Sequence, residues 1–298
     1  MPQRRRTMEY LQSIILGAVQ GLTEFLPISS SGHLTIFQHL LNINGEGSLA
    51  LEVFLHIGTL IAVIAVYYKT FLDMIKEMGR FIRDLFTGKL KGQKPTEDRH
   101  MLYMFVITCL PLLVIICPIG NDMKVKDVAE ALAASNASLL IVGIALLITS
   151  VLLFYGTYVS RHRDNIRDRV ETKDAIVIGL TQLVSAMLPG LSRSGSTISA
   201  GMISGVEKNY MVRYSFVLGT PAVIAATLLE FKGLLDEGTE LAISTGPIIV
   251  GIIVAAIVGV LSIKLLERLV KTDKFIVFGY YCAIVGAIAT VFGIIELV

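Results

Sequence analysis

Six stretches of this chain are apolar over about the 17–25 residues that a helix needs to cross a bilayer, and they settle its fold class before any motif is considered. They lie at 50–69, 101–120, 136–159, 212–231, 245–266 and 275–295. Two further apolar runs, 8–26 and 175–188, are shorter and stop at Pro27 and Pro189. Composition agrees: 54% of residues are hydrophobic, 17% are charged and the mean hydropathy is +0.71, well to the apolar side of a soluble domain. The expected fold is an all-α integral membrane protein, six transmembrane helices plus two shorter broken ones, in a single unit over 1–298.

The net charge of +2 says little, but its distribution says more. Eight Lys/Arg fall in 69–100, five in 160–174 and four in 264–274, whereas 43–49, 121–135 and 232–246 together hold only Lys124, Lys126 and Lys232. Basic loops stay on the cytoplasmic side, and an even number of crossings separates each pair of them. Arg4, Arg5 and Arg6 conflict with that parity if 8–26 dips into the membrane and returns. A signal peptide is not expected at 1–26, because no small-residue cleavage site precedes the polar stretch. Cys109, Cys117 and Cys282 fall in apolar segments without metal spacing and read as small buried hydrophobes. No nucleotide-binding glycine pattern, soluble domain or nucleic-acid signature is present.

The two broken segments resemble each other. GLTEFLPISSSGHL at 21–34 is answered by GLTQLVSAMLPGLSRSGSTI at 179–198, and FLHIGT at 54–59 by FVLGT at 216–220. Each half then reads as one broken helix followed by three spans: a first repeat over about 8–159, a basic cytoplasmic linker 160–174, and a second repeat over about 175–298. Three crossings are odd in number, so the second half enters the membrane upside down. Paired Gly/Pro-interrupted segments point to an inverted repeat of two re-entrant helix pairs, with a site near the midplane. Non-helical backbone at that depth is tolerated only inside protein or along a wet cavity.

The broken segments carry the chemistry. After Pro189 come Gly190, Leu191, Ser192, Arg193, Ser194, Gly195, Ser196 and Thr197. A Ser/Gly turn opening a helix offers free amides to an anion, and Arg193 adds a fork for phosphate oxygens. A structural pair with Glu24 is the other reading of that arginine. In the first segment Ser29, Ser30 and Ser31 precede Gly32-His33, with Ser30 as the expected N-cap; a serine and a nearby histidine suit a nucleophile and its base. Gln20 and Glu24 share a helix face and suit a hard divalent cation, Mg²⁺ or Ca²⁺, held together with substrate phosphate. Gln20 reads equally as an interhelical hydrogen-bonder. Glu52 and His56, four apart, face either the cavity or solvent. His39 reads as interfacial, His100 and His162 as solvated, and Tyr67, Tyr68, Tyr280 and Tyr281 as belt or packing residues. The kit is one for phosphoryl transfer at membrane depth, and the substrate most simply reached there is a lipid phosphate.

These residues resemble the bacterial undecaprenyl-diphosphatases, also called bacitracin-resistance proteins. The signatures stand here as Gln20-Gly21-Leu22-Thr23-Glu24 running into Ser29–His33, and as Pro189-Gly190-Leu191-Ser192-Arg193-Ser194-Gly195-Ser196-Thr197. The resemblance covers nearly the whole chain. It implies six spans with two inverted re-entrant helix pairs, and a cation-dependent hydrolysis of undecaprenyl diphosphate to the monophosphate carrier lipid plus phosphate. It also implies the inner (cytoplasmic) membrane of a bacterium, with the site facing the periplasmic side. By the same resemblance Glu24 is the catalytic or metal-linked glutamate, Ser30 the proposed nucleophile, His33 the motif histidine and Arg193 the phosphate-binding arginine; the turn chemistry adds Ser29, Ser192, Ser194, Gly195 and Thr197 as expected phosphate binders, and Glu24 with Gln20 as the expected metal pair. The nucleophile is Ser30, His33 or a water activated by Glu24. Where Gln20 stands some members have Glu, so a second carboxylate is lacking.

Two other readings were weighed. A second lipid-phosphatase class is echoed by Ser31-Gly32-His33 and Ser192-Arg193, but Ser199 stands where its last histidine belongs. A secondary transporter or flippase would use the same inverted repeat, and turnover separates it from an enzyme. Assembly into a homo-oligomer is open from sequence.

Overall fold

The structure is a computed structural model, and it describes residues 2–40, 46–88, 96–120, 123–135, 137–236 and 244–297. The described chain is almost wholly helical. In order it forms α1 (Pro2–Phe25), α2 (Ser30–Leu40), α3 (Glu46–Val66), α4 (Tyr68–Phe86) and α5 (Glu97–Cys109), the last running into a 3-10 segment, Leu110–Ile116. A two-stranded hairpin follows (Pro118–Gly120 with Met123–Lys124), then α6 (Val125–Ala133) and α7 (Ser138–His162). The remainder is α8 (Thr172–Met187), α9 (Arg193–Ser204), α10 (Lys208–Asp236), α11 (Thr245–Lys271) and α12 (Val277–Leu297).

Five helical segments are long and apolar enough to cross a membrane, and a sixth is obtained when the bent pair Leu51–Val66 and Tyr68–Phe86 is taken as one span. The protein is a multi-pass membrane protein. Each of the six apolar stretches read from the sequence falls on one of these segments, with three local differences. The first stretch ends at Val66, where the chain turns by 82° into α4; residues 68–86, expected as part of a basic loop, are therefore helix. The stretch 101–120 is α-helical only to Cys109. Pro111 cannot donate to the turn before it and crowds that turn, so the chain tightens into 3-10 geometry and then extends. The apolar run 8–26 belongs to a helix that begins at Pro2 and includes Arg4, Arg5 and Arg6. Lys89, Lys91 and Lys94 of the first basic loop, and parts of the segments 43–49, 121–135 and 232–246, lie outside the described residues.

The interior holds an apolar core, and it is the outer surface that differs from that of a soluble protein. Large apolar side chains face outward along α11 (Ile249, Ile253, Ile257, Leu261) and α12 (Ile284, Ile288, Val291, Ile295), while Gln20, Thr149, Ser196, Ser199 and Ser215 are sealed inside. Lipid solvates the first set; of the second, Thr149, Ser215 and the Gln20 amide nitrogen have protein partners, whereas the Ser196 and Ser199 hydroxyls have none among the described residues. Packing is close and uses small residues. α1 and α3 lie against α11, α7 lies against α12, and the short α9 is held among α7, α8 and α10. Gly21 sets the α1–α11 distance, since a Cβ there would stand 2.6 Å from the Ala255 carbonyl oxygen.

Candidate active site between two broken helices

Both breaks follow from local chemistry. α1 ends at Phe25, ahead of Leu26-Pro27-Ile28, and the chain reverses at Ser29, whose φ of +72° lies in the left-handed region that non-glycine residues avoid. That reversal aims the Ser29 hydroxyl at the new helix, where it accepts from the Gly32 amide at 3.2 Å. Ser29, and not the expected Ser30, is therefore the capping residue of α2; Ser30 is its first helical residue. α8 ends at Met187 in the same manner. Gly190, with φ +86°, reverses the chain and Ser192 caps α9 by accepting from the Gly195 amide at 3.0 Å. In each loop the capping hydroxyl stands 3.4 Å from that of the serine two residues on, Ser29 to Ser31 and Ser192 to Ser194. Ser194 also donates to the Leu26 carbonyl, at 3.3 Å, tying the second break to the first.

The two helix starts line one cavity of about 110 Å³. Its walls are Thr23, Glu24, the serines 29–31, Ser185, Leu191 and the segment Ser192–Ser194. Ser192 satisfies the Gly195 amide, which leaves the amides of Arg193 and Ser194 without an intrahelical acceptor. Positive helix ends and hydroxyls at one hollow make a seat for an oxyanion.

Glu24 is the centre of the polar network. Its Oε2 accepts from Ser30 Oγ at 2.7 Å and from Gln20 Nε2 at 3.2 Å, and its Oε1 accepts from Arg193 Nη2 at 2.5 Å. The carboxylate is buried and the arginine is about one quarter exposed, on the cavity side. Of the two sequence readings of Arg193, the pair with Glu24 is observed, and the same side chain lines the serine-rich cavity. His56 stands within electrostatic reach of Glu24 and of Glu52, and its Nδ1 is 2.9 Å from the Glu52 carbonyl oxygen.

Two expected site residues lie elsewhere. His33 is buried, with Nδ1 2.7 Å from the Ser29 carbonyl oxygen and Nε2 2.7 Å from the Tyr281 hydroxyl. A carbonyl only accepts, so Nδ1 carries the proton and Nε2 of the neutral ring accepts from Tyr281. Its ring also stacks on Tyr281, at 5.6 Å between centroids; it faces α12 and does not line the cavity. Thr197 is sealed in as well: its hydroxyl meets the Arg193 carbonyl at 2.9 Å and Ser215 Oγ at 2.7 Å, joining α9 to α10. The Gly195 amide is taken by the cap.

Three supporting residues were not read from the sequence. Tyr281 was put down to packing, yet it fixes His33 across 248 positions. Thr149 Oγ1 accepts from the Ser192 amide at 3.2 Å. Gly219 leaves room for the Arg193 guanidinium, since a Cβ there would stand 1.2 Å from Nη1; the one trace of it was the repeat of Gly58-Thr59 as Gly219-Thr220.

A metal would find few protein donors. Among the described residues no group of three His, Cys, Asp or Glu side chains is placed to hold an ion. The Gln20 Oε1, however, is a buried carbonyl oxygen with no partner, on the amide that bonds Glu24. One carboxylate plus one amide oxygen fits the way Mg²⁺ is held when substrate phosphates complete its shell.

The chain is similar to known proteins over nearly its whole length. The family model described as bacitracin resistance protein BacA matches residues 13–288. A protein named undecaprenyl-diphosphatase from Methanosphaera stadtmanae is 37% identical over 292 residues, 97% of this chain and 99% of its own. Proteins of the same name from Bacteroides fragilis and Alkaliphilus metalliredigens are 38% and 36% identical, covering 95% and 97% of this chain and 98% and 100% of theirs. With the match running through both broken helices and every span, the chain belongs to the bacitracin resistance protein BacA family.

Proposed function

We propose that the protein is an undecaprenyl-diphosphate phosphatase, converting the lipid diphosphate to undecaprenyl phosphate and inorganic phosphate and so recycling the carrier lipid of cell-wall synthesis. The observation that carries this reading is the bridge made by Glu24, which holds Ser30 Oγ on one oxygen and Arg193 on the other at a serine-lined cavity. A hydroxyl bonded to a carboxylate is the pairing of a nucleophile and its base. The shared name of the relatives points to the substrate.

The geometry supports one division of labour. A diphosphate offers Arg193 a bidentate partner of higher charge than Glu24, so the guanidinium passes to the terminal phosphoryl group, and the free amides at the start of α9, with Ser29, Ser192 and Ser194, take its oxygens. Ser30 Oγ attacks the terminal phosphorus while its proton moves to Glu24 Oε2. The bond from that phosphorus to the bridging oxygen breaks, and undecaprenyl phosphate leaves with the electron pair and receives the proton from Glu24. Glu24 then takes a proton from a water that attacks the phosphoserine. Ser30 Oγ departs, recovers that proton, and inorganic phosphate is released. Glu24 and Gln20 Oε1 would hold a divalent cation, which would supply neutralisation of phosphoryl charge. His33 positions: it ties the first turn of α2 to α12 through Tyr281. Thr197 does the same for α9 against α10.

The same reading extends to the architecture. The chain is one membrane unit, with α1–α2 and α8–α9 as re-entrant pairs and two repeats, about 8–159 and 175–298, inserted in opposite senses. The matched serine caps of α2 and α9 support this. The basic linker 160–174 faces the cytoplasm by the positive-inside rule, and the catalytic cavity opens to the periplasmic side of the cytoplasmic membrane.

The test is phosphate release from undecaprenyl diphosphate by the purified protein in detergent, with and without chelator, beside Glu24→Gln. Release that needs the cation and falls by about 10²–10⁴ in the variant is expected. Full turnover in Glu24→Gln would remove the base from this scheme, and no release from folded wild type would leave transport as the activity to measure.

A further inference from the structure

α4 belongs to neither broken helix, and its surface is sorted into three arcs. Tyr68, Leu72, Ile75, Ile82 and Phe86 recur at helical spacing along one face, all exposed, with Ile75 at 67% and Phe86 at 85%. Glu77 and Asp84, seven residues apart on the opposite face, are buried and turn to α5, where Arg99 donates to Glu77 at 2.5 Å and to Asp84 at 2.8 Å. Phe81 packs edge-on to Tyr103 on the same side. This clamp fixes the helix's rotation and leaves the apolar face turned away from the protein. Along the border between the arcs run Lys69, Lys76 and Arg83, each seven residues apart, with Arg80 beside them; Lys76, Arg80 and Arg83 are all more than half exposed. The one exposed carboxylate of α4, Asp73, is bridged by Lys76 at 3.3 Å. What α4 offers outward is thus apolar surface edged with positive charge.

Direction matters as much as pattern. α3 carries the first span, and α4, a helix of 19 residues about 28 Å long, leaves it at 82°, so an α3 standing near the bilayer normal lays α4 along the membrane plane. With seven charged residues it cannot cross the bilayer. An apolar stripe of this length left in water would be an unusually large exposed patch. An apolar face, a basic edge and an in-plane axis together are the features of a helix that lies in the headgroup layer.

We infer that α4 is an interfacial lipid-binding helix, its Leu72–Ile75–Ile82–Phe86 stripe sunk among acyl chains and its Lys69, Lys76, Arg80 and Arg83 edge binding the phosphates of anionic lipid headgroups. The Lys76–Asp73 pair, exposed on both sides, is of the weak, solvent-screened kind that a headgroup phosphate displaces; Glu77 and Asp84 are already held by Arg99, so the exposed guanidinium groups of Arg80 and Arg83 have charge left to offer a phosphate.

The chain contains no tryptophan, so Ile75→Trp is a unique reporter of its surroundings. The variant is reconstituted into phosphatidylcholine vesicles, with and without phosphatidylglycerol, and each lipid is also supplied with brominated acyl chains. Blue-shifted emission, quenched at least about twofold by brominated chains and little by aqueous iodide, is the expected result, with stronger bromolipid quenching when phosphatidylglycerol is present. In Ile75→Trp combined with Lys69→Gln, Lys76→Gln and Arg83→Gln, the gain from phosphatidylglycerol disappears. Water-like emission with full iodide quenching overturns membrane burial of the stripe. Blue emission without bromolipid quenching overturns it too, in favour of a second protein copy covering the face. Equal quenching in both lipid mixtures overturns the headgroup assignment. Phe86→Trp repeats the measurement should Ile75→Trp not fold.

Discussion

Glu24, Ser30 and Arg193 carry the account, and substitutions beside them test how they are held. Glu24 is both the acceptor of the Ser30 proton and the resting partner of Arg193, so removing its charge disables two functions at once. Arg193 depends in turn on Gly219. An added methyl at 219 would overlap the guanidinium, and displacement of a transition-state group by about an ångström costs about 10² in rate. Gly219→Ala is therefore expected to lower kcat/KM by about that factor, with thermal stability close to wild type, as steady-state phosphate release and a melting curve will show. Tyr281→Phe removes a single bond to His33; at about 1 kcal/mol for one net hydrogen bond, turnover should stay within about fivefold of wild type. A collapse to the level of Ser30→Ala would instead put His33 in the chemistry. Glu24, Ser30 and Arg193 were legible in sequence because carboxylates, guanidinium groups and serine runs are rare in apolar surroundings. Tyr281 was not, because an aromatic residue near a span end has an ordinary reason to be there and its partner lies 248 residues away.

Among the elements, the short helices position the site and the long ones hold them. α9 is buried along nearly its whole length and presents its N-terminus to the cavity because α7 supplies Thr149 and α10 supplies Ser215. At the far end of the bundle Asp273, between α11 and α12, receives Lys208 at 2.6 Å and Arg161 at 2.9 Å, joining α10 and α7 to that turn. The Lys208 hydrogen bond, reinforced by Arg161 and opposed by partial burial, holds the Asp273 carboxyl below its usual range. Its stabilising share is thus fully present above the unfolded value of about 3.9 and is lost as pH falls through the lower folded value. Asp273 is half exposed, so the share is below about 1 kcal/mol. Asp273→Asn, which tolerates the left-handed φ of +58° at this position, should lower the melting temperature slightly at pH 7 and converge on wild type as pH falls through the lowered folded value. A constant offset across that range would show that the pair does not contribute. The spans were legible because their apolar runs match a bilayer, and the breaks because Pro27 and Pro189 stand at them. α4 was hidden by its charges: counting Lys and Arg marked 69–100 as a loop, although the spacing of Leu72, Ile75, Ile82 and Phe86 is that of a helix.

For the whole molecule, residues from opposite ends of the chain converge on one hollow. Ser30 and Arg193 are 163 positions apart, yet Glu24 bonds both. Sequence similarity between 21–34 and 179–198 pointed to that meeting, because two alike breaks in an apolar chain leave backbone that must be satisfied together. The pairing across the hollow stood there only as one of two readings, since nothing local distinguishes Glu24 reaching Arg193 from Glu24 reaching a metal. The central claim is that this hollow performs phosphoryl transfer through Ser30. Its most direct test is a single-turnover acid quench with undecaprenyl diphosphate labelled on the terminal phosphate, comparing wild type with Ser30→Ala of matched folding. The account predicts label transiently on Ser30 and then as free phosphate in wild type, and neither in the variant; free phosphate at the wild-type rate from Ser30→Ala would contradict it.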